Sequence, residues 1–255
     1  VSNPRNATTT NRGRSYRWRD EEFDSVTTII GGGVPKPALK AWGERTVAEM
    51  AFDNINTWRH MKRDEAVDWL KRSPFRTTNK AAELGSSIHD YAEAHVLGKP
   101  MPEPTVEQRP YLEALYRFLD DHTPSYQMTE ATVYNREHNY AGTLDLIAEI
   151  PGLGLTLADY KSGKGVYGEV ALQLAAYRFA EFVGMPNGDE VPMPEVDSCA
   201  VVHLTPDGYE LIPVDAGLEE FRTFLYAARI RWFCNTRSRQ VLLPPMAPTK
   251  EGAPA

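Results

Sequence analysis

A chain of 255 residues, 42% of them hydrophobic, is long enough to bury a sizeable core as one large domain or two small ones. It has no apolar run of membrane-spanning length and no basic-then-apolar leader, and its two cysteines, Cys199 and Cys234, exclude a disulfide framework or zinc knuckle, so a soluble cytoplasmic protein is expected. A net charge of −7 argues against a polyanionic partner, yet residues 1–80 hold 15 Lys and Arg against 10 Asp and Glu, and the remainder 13 against 25, so a basic segment beside an acidic body can still funnel phosphates.

Residues 1–13, rich in Ser, Thr, Asn and Arg, read as a loose tail. Arg14 to Arg19 alternates polar and aromatic side chains, the pattern of a strand whose arginines share a face; Arg17 and Arg19 are then either solvated charges or contacts to a phosphate backbone. Asp24 to Ile30 is a short element, Gly31 to Gly33 a flexible break and Val34 to Pro37 a helix start. The triple glycine lacks a following Gly-Lys-Ser/Thr, and Gly163-Lys164 is followed by Gly165, so there is no nucleotide loop and no ATP is expected. From Ala38 to Ile55 the spacing of Leu39, Trp42, Val47, Met50 and Ala51 predicts a helix with these side chains in the core. Basic runs over Arg59 to Arg63 and Lys71 to Arg76 flank a helix from Asp64 to Leu70. Arg59, Lys62, Arg63 and Arg72 read as a solvated face or as the rim of a nucleic-acid site.

Asn79 to Leu97 has helical spacing at Ala82, Ile88, Ala92 and Val96, which places His89 and Glu93 on one face. Val106 to Asp121 is a packing helix, and Tyr126 to Tyr134 alternates as a strand carrying Glu130. Tyr140 to Ile150 and Leu155 to Lys164 read as two strands of a hairpin about the Pro151 to Gly154 turn. Each carries one carboxylate in an apolar run, Asp145 and Asp159, which is costly without a partner. Asp159 and Lys161 leave the same face of their strand and Tyr160 the other. If the register sets Asp145 beside Asp159, two carboxylates and an ammonium converge. Two hard oxygen ligands suit Mg²⁺ or Mn²⁺, and the lysine can orient a water and balance charge on phosphorus. The alternative is a buried Asp–Lys pair inside a sheet.

Lys164, in the glycine-rich loop Ser162 to Gly168, touches a phosphate or is simply exposed. The helix expected over Glu169 to Val183 carries Gln173 and Tyr177 four apart, and on the plain reading their polar tips reach water. After a Pro/Gly-rich loop, Gly184 to Glu195, a second hairpin joins Asp197–Thr205 to Tyr209–Val214. Gly217 to Asn235 is an amphipathic helix with a basic end, and Val241 to Ala255 a loose Pro-rich tail.

Four motifs stand in order: Gly85 to His89 (G-x-x-x-H), Gly142 to Asp145 (G-x-x-D), Asp159 to Lys161 (D-x-K) and Gln173 to Tyr177 (Q-x-x-x-Y). Jointly they resemble the PD-(D/E)XK nuclease superfamily, in particular its RecB-type exonuclease branch, over residues 79 to 184. Ser25-Val-Thr-Thr and Lys36 to Trp42 are similar to the start of phage-encoded members. The resemblance implies one α/β domain over residues 1–255 with a restriction-endonuclease-like core: a central mixed β-sheet flanked by helices over 79–240. A helical N-terminal extension over 14–78 would form part of a DNA channel, with loose tails at 1–13 and 241–255.

It further implies metal-dependent exonucleolytic hydrolysis of DNA in recombination, repair or degradation. Asp145, Asp159, Lys161, Gln173 and Tyr177 would be catalytic, and His89, Asp145 and Asp159 would hold one or two Mg²⁺ or Mn²⁺ ions. Glu93 and Glu130 would be accessory groups, and Arg17, Arg19, Arg59, Lys62, Arg63, Arg72 and Lys164 DNA contacts. Some relatives carry an iron–sulfur cluster with one cysteine ahead of the motifs; none precedes Cys199 here, so no cluster is expected. DNA is the implied partner, with a single-strand annealing protein or helicase beside it in a bacterial or phage-infected cell. A nicking or structure-specific endonuclease and a non-catalytic DNA-binding or assembly module are the alternatives.

Overall fold

The computed structural model describes residues 6–10 and 13–246. The chain enters it as strands: β1 (Ala7–Thr10), β2 (Gly13–Trp18) and β3 (Glu21–Ser25). Alternation in β2 works as read, with Tyr16 and Trp18 buried and Arg17 exposed. β1 pairs along β2, so part of the expected N-terminal tail is sheet; residues 1–5 and 11–12 of that tail lie outside the described residues, as do 247–255 of the C-terminal one.

Helix α1 (Val26–Gly33) follows β3 directly and includes the triple glycine, which is therefore helical rather than a flexible break. The reason is packing. A Cβ on Gly33 would lie 2.1 Å from the Ala227 carbonyl oxygen, so a glycine is what lets the C-terminal helix cross this closely.

Next come α2 (Pro37–Asp53), opened by a proline in its first turn, the short α3 (Ile55–Trp58), α4 (Arg63–Lys71) and the long α5 (Ser73–Val96). No residue of α2 is buried. Leu39 and Trp42, expected in the core, are 53% and 36% exposed, and Phe52 is 84% exposed. Helical spacing predicts an apolar face but not what covers it, and α2 packs chiefly against α3, α4 and α5. α5 begins at Ser73 and so runs through residues 78 and 79 as one helix.

The remaining elements are α6 (Arg109–His122), β4 (Ser125–Asn135), β5 (Tyr140–Ile150), β6 (Gly154–Lys161), α7 (Glu169–Arg178), β7 (Phe182–Gly184), β8 (Glu190–Pro192), β9 (Ser198–Thr205), β10 (Gly208–Val214) and α8 (Leu218–Trp232), which runs into a π-helical turn over Phe233–Arg237. Two expectations shift here. The helix of Gln173 stops at Arg178, and its expected last turn is instead β7, which pairs with β4 and with β8 inside what read as a loop.

These strands form one mixed sheet centred on β5. β4 takes one edge of β5 along its length, antiparallel. Two strands divide the other edge: β3 runs parallel beside Tyr140 and Ala141, and β6 runs antiparallel beside Leu146 to Ile150. β9 continues outward from β6 in parallel, and β10 from β9 antiparallel.

Helices cover both faces, so β5 reads as a nearly continuous apolar run. On one face Ile29, Leu174 and Phe224 of α1, α7 and α8 meet Ile147 and Leu157. On the other, Ile88, Leu115 and Phe118 of α5 and α6 meet Leu146 and Tyr160. Each fully buried side chain of this size contributes about 1.5–3 kcal/mol, so stability resides in these layers and not in α2. Among the described residues no helix is long and apolar enough to cross a membrane.

Candidate metal centre

The site lies where β6 peels away from β5. Their ladder is registered as far as Leu146 opposite Ala158, which brings Asp145 and Asp159 to its end. At that end the Tyr160 amide donates to Asp145 Oδ2 at 2.7 Å, so the carboxylate itself satisfies backbone freed by the divergence. Asp145 is 7% exposed and Asp159 2%.

Across from Asp145 on β4 stands Glu130, between the registered pairs Thr129–Leu146 and Ala131–Leu144. Its φ is +48°, a left-handed backbone that side chains bearing a Cβ disfavour. His89 reaches in from α5, its Nδ1 lying 3.2 Å from Asp145 Oδ1 and 3.6 Å from Glu130 Oε1. Its ring meets Tyr160 edge-on at 6.1 Å, so the tyrosine that points away from Lys161 buttresses the histidine.

One ligand atom from each of His89, Glu130 and Asp145 lies within 4.8 Å of the others. An imidazole and two carboxylates fit a divalent ion, with the nitrogen favouring Mn²⁺ over the strictly oxygen-seeking Mg²⁺. Of the expected ligands Asp159 stands outside this triad, and Glu130, expected as an accessory, stands within it. Glu93 accepts from Lys99 Nζ at 3.0 Å instead.

Asp159 is held differently. Lys161 Nζ lies 2.5 Å from its Oδ2, and Gln173 Nε2 of α7 donates to its Oδ1 at 2.7 Å. Gln173 Nε2 also lies 3.4 Å from the Tyr177 hydroxyl. Tyr177 does not reach water. It is 3% exposed, and its ring lies over Gly142, where a Cβ would come 2.4 Å from Cε1. The glycine of one motif thus makes room for the tyrosine of another, which steadies the glutamine that holds Asp159.

The charges are interdependent. Burial pushes the Asp159 carboxyl up, and repulsion from Asp145 adds to this; against the pull of Lys161 it settles at about 6. Burial also pushes Asp145 up, but the charges of His89 and Lys161 hold it below the usual carboxylate range. For His89 burial works toward neutrality, and Asp145 and Glu130 overcome it, so the imidazole stays protonated well above its ordinary value. Burial raises Glu130 against the opposing pull of His89.

Binding an ion through the His89 lone pair must therefore displace a proton. Mn²⁺ affinity should rise with pH by about tenfold per unit while that one proton is released, and level off once His89 is neutral. Titration calorimetry in buffers of differing ionisation enthalpy measures the released proton. An affinity unchanged between about pH 6 and 8 would rule His89 out as a ligand.

The basic residues expected on DNA are mostly engaged locally. Arg19 pairs with Glu190 at 3.2 Å, Arg63 with Asp64 at 3.5 Å and Arg72 with Asp68 at 2.8 Å, while Arg59 Nε lies 3.0 Å from His60 Nε2. Arg17, Lys62 and Lys164 are exposed. Sequence reasoning passed over Arg136, which ties Glu21 and Glu190 together above the Phe182 ring as a brace of the outer sheet. It also passed over the Tyr160 amide and His203, a buried histidine of β9. Its place inside the continuous apolar run Cys199 to Leu204, which reads as a buried strand, is the one signal in the sequence that His203 is buried.

No family model matches the chain, and no curated protein matches it.

Proposed function

We propose that this chain is a divalent-metal-dependent deoxyribonuclease with a restriction-endonuclease-like core, acting on DNA ends. The observation that carries the reading is the His89, Glu130 and Asp145 triad adjoining the pair of buried Asp159 and half-buried Lys161 at the divergence of two strands. The four-motif order supports the same reading independently of the geometry.

His89, Glu130 and Asp145 would hold the ion, with Asp159 next to it. When bound, Mn²⁺ or Mg²⁺ supplies a water of lowered pKa and charge to set against the phosphate. The side chains do the rest. Lys161, half-buried and kept protonated by Asp159 and Asp145 against the effect of burial, holds positive charge where a scissile phosphate gathers negative charge. Gln173 and Tyr177 fix Asp159, so the ammonium and the triad keep their spacing without rearrangement. The arrangement supports direct attack by water.

Labelled linear, circular and nicked DNA incubated with Mg²⁺, Mn²⁺ or EDTA tests this. Digestion from ends alone is the expected result. Cutting of circles would replace it with an endonuclease, and binding without cleavage with a non-catalytic module. Asp159→Ala should lower hydrolysis by about 10³-fold while leaving DNA binding intact, and a variant cutting at full rate would overturn the site.

A further inference from the structure

His203 stands on the far side of Lys161 from the triad. The β6–β9 register sets Asp159 beside Val201 and Lys161 beside His203, so these four side chains share one face. His203 is 6% exposed. Its Nε2 lies 2.9 Å from the carbonyl oxygen of Gly163, and its Nδ1 lies 3.3 Å from Oε2 of Glu210, its cross-strand neighbour on β10.

A carbonyl oxygen can only accept, so Nε2 carries the hydrogen and donates. Gly163 is the second residue after Lys161, at the point where the chain has left β6 and begins the loop to α7 with glycines at 163 and 165. Glycines leave such a loop many accessible conformations, and one bond to a side chain rooted in the sheet removes most of that freedom. What the loop controls is close at hand. Gly165, Val166 and Tyr167 form one wall of a cavity of about 210 Å³ whose other walls include Lys161 and Gln173. Ser162 faces α5, its Oγ lying 3.5 Å from where a Cβ on Gly85 would be.

We infer that His203 is a positioning residue: by donating to the Gly163 carbonyl it pins the loop over residues 162–168 and thereby fixes the direction of the Lys161 ammonium and one wall of the adjoining cavity. The role of Lys161 in this statement rests on the nuclease reading; the pinned loop does not.

The test compares His203→Phe, which keeps the ring's shape and loses the donor, with His203→Gln, whose amide can donate to the same carbonyl. Hydrogen exchange resolved by peptide should show the end of the loop, where the Val170 and Ala171 amides donate back to the Tyr167 and Gly168 carbonyls, exchanging about tenfold faster in the Phe variant, the effect of one lost hydrogen bond. Lys161 should acylate faster with acetic anhydride, while peptides of β9 and α5 stay as in the parent. The Gln variant should restore both readouts. On a DNA substrate, kcat should fall about tenfold in the Phe variant with KM nearly constant.

Loop exchange and Lys161 acylation unchanged in the Phe variant would overturn the inference. So would acceleration spread equally over β9 and β10, or a Gln variant no better than Phe. A parent protein that hydrolyses no DNA would sink the nuclease reading, and exchange and acylation would still decide the role of His203.

Discussion

Replacing Asp145 by asparagine should abolish Mn²⁺ binding and lower DNA hydrolysis by about 10³-fold or more, with cooperative unfolding retained. The separation of these outcomes comes from the two oxygens of one carboxylate. Oδ2 accepts from the Tyr160 amide at 2.7 Å, a bond that the asparagine carbonyl can also accept, so the end of the β5–β6 ladder stays satisfied. Oδ1 faces His89 at 3.2 Å, where an amide nitrogen brings a donor and no charge. The triad then loses one anionic ligand of two, and His89 loses its stronger partner. Turning the carboxylate that orients a catalytic histidine into an amide costs about 10⁴-fold in a Ser-His-Asp triad. Calorimetry with Mn²⁺, nuclease assays and thermal melts on the same preparation decide it. A variant that binds Mn²⁺ as the parent does would remove Asp145 from the centre.

The second large effect is expected at Gly142, which no ion would touch. A methyl group there meets Tyr177 Cε1 at 2.4 Å and its hydroxyl at 3.1 Å, and a ring 3% exposed in a packed core has nowhere to go. Gly142→Ala should destabilise the fold by about 1–3 kcal/mol, the usual range for overpacking. It should also slow turnover about tenfold or more, since α7 must shift and carry Gln173 off Asp159. Pairing it with Tyr177→Leu should recover part of the stability but not the turnover, because the space is relieved while the hydroxyl beside Gln173 is gone. Full activity in Gly142→Ala would show that Tyr177 does not act through Gln173.

Much of this centre was legible in the primary structure because it depends on short-range rules. Strand alternation placed Asp159 and Lys161 together and Tyr160 apart, and helix spacing put Gln173 and Tyr177 on one face. What could not be read depends on where one strand leaves another. Glu130 becomes a full member of the triad through its backbone and its place across from Asp145, neither of which alternation encodes. The same holds for α2, whose apolar spacing is plain while its failure to bury any residue is not. Triple glycine reads as flexible by composition, yet at Gly33 the lack of a side chain serves close helix contact.

The left-handed backbone of Glu130 sets the interests of folding and of the ligand triad against each other. A residue with a Cβ sits about 1–2 kcal/mol above its preferred conformation there, and glycine would not. Glycine at residue 130 would relieve the backbone but remove the carboxylate that stands beside His89 and Asp145, so backbone ease and side-chain chemistry pull apart at this one position.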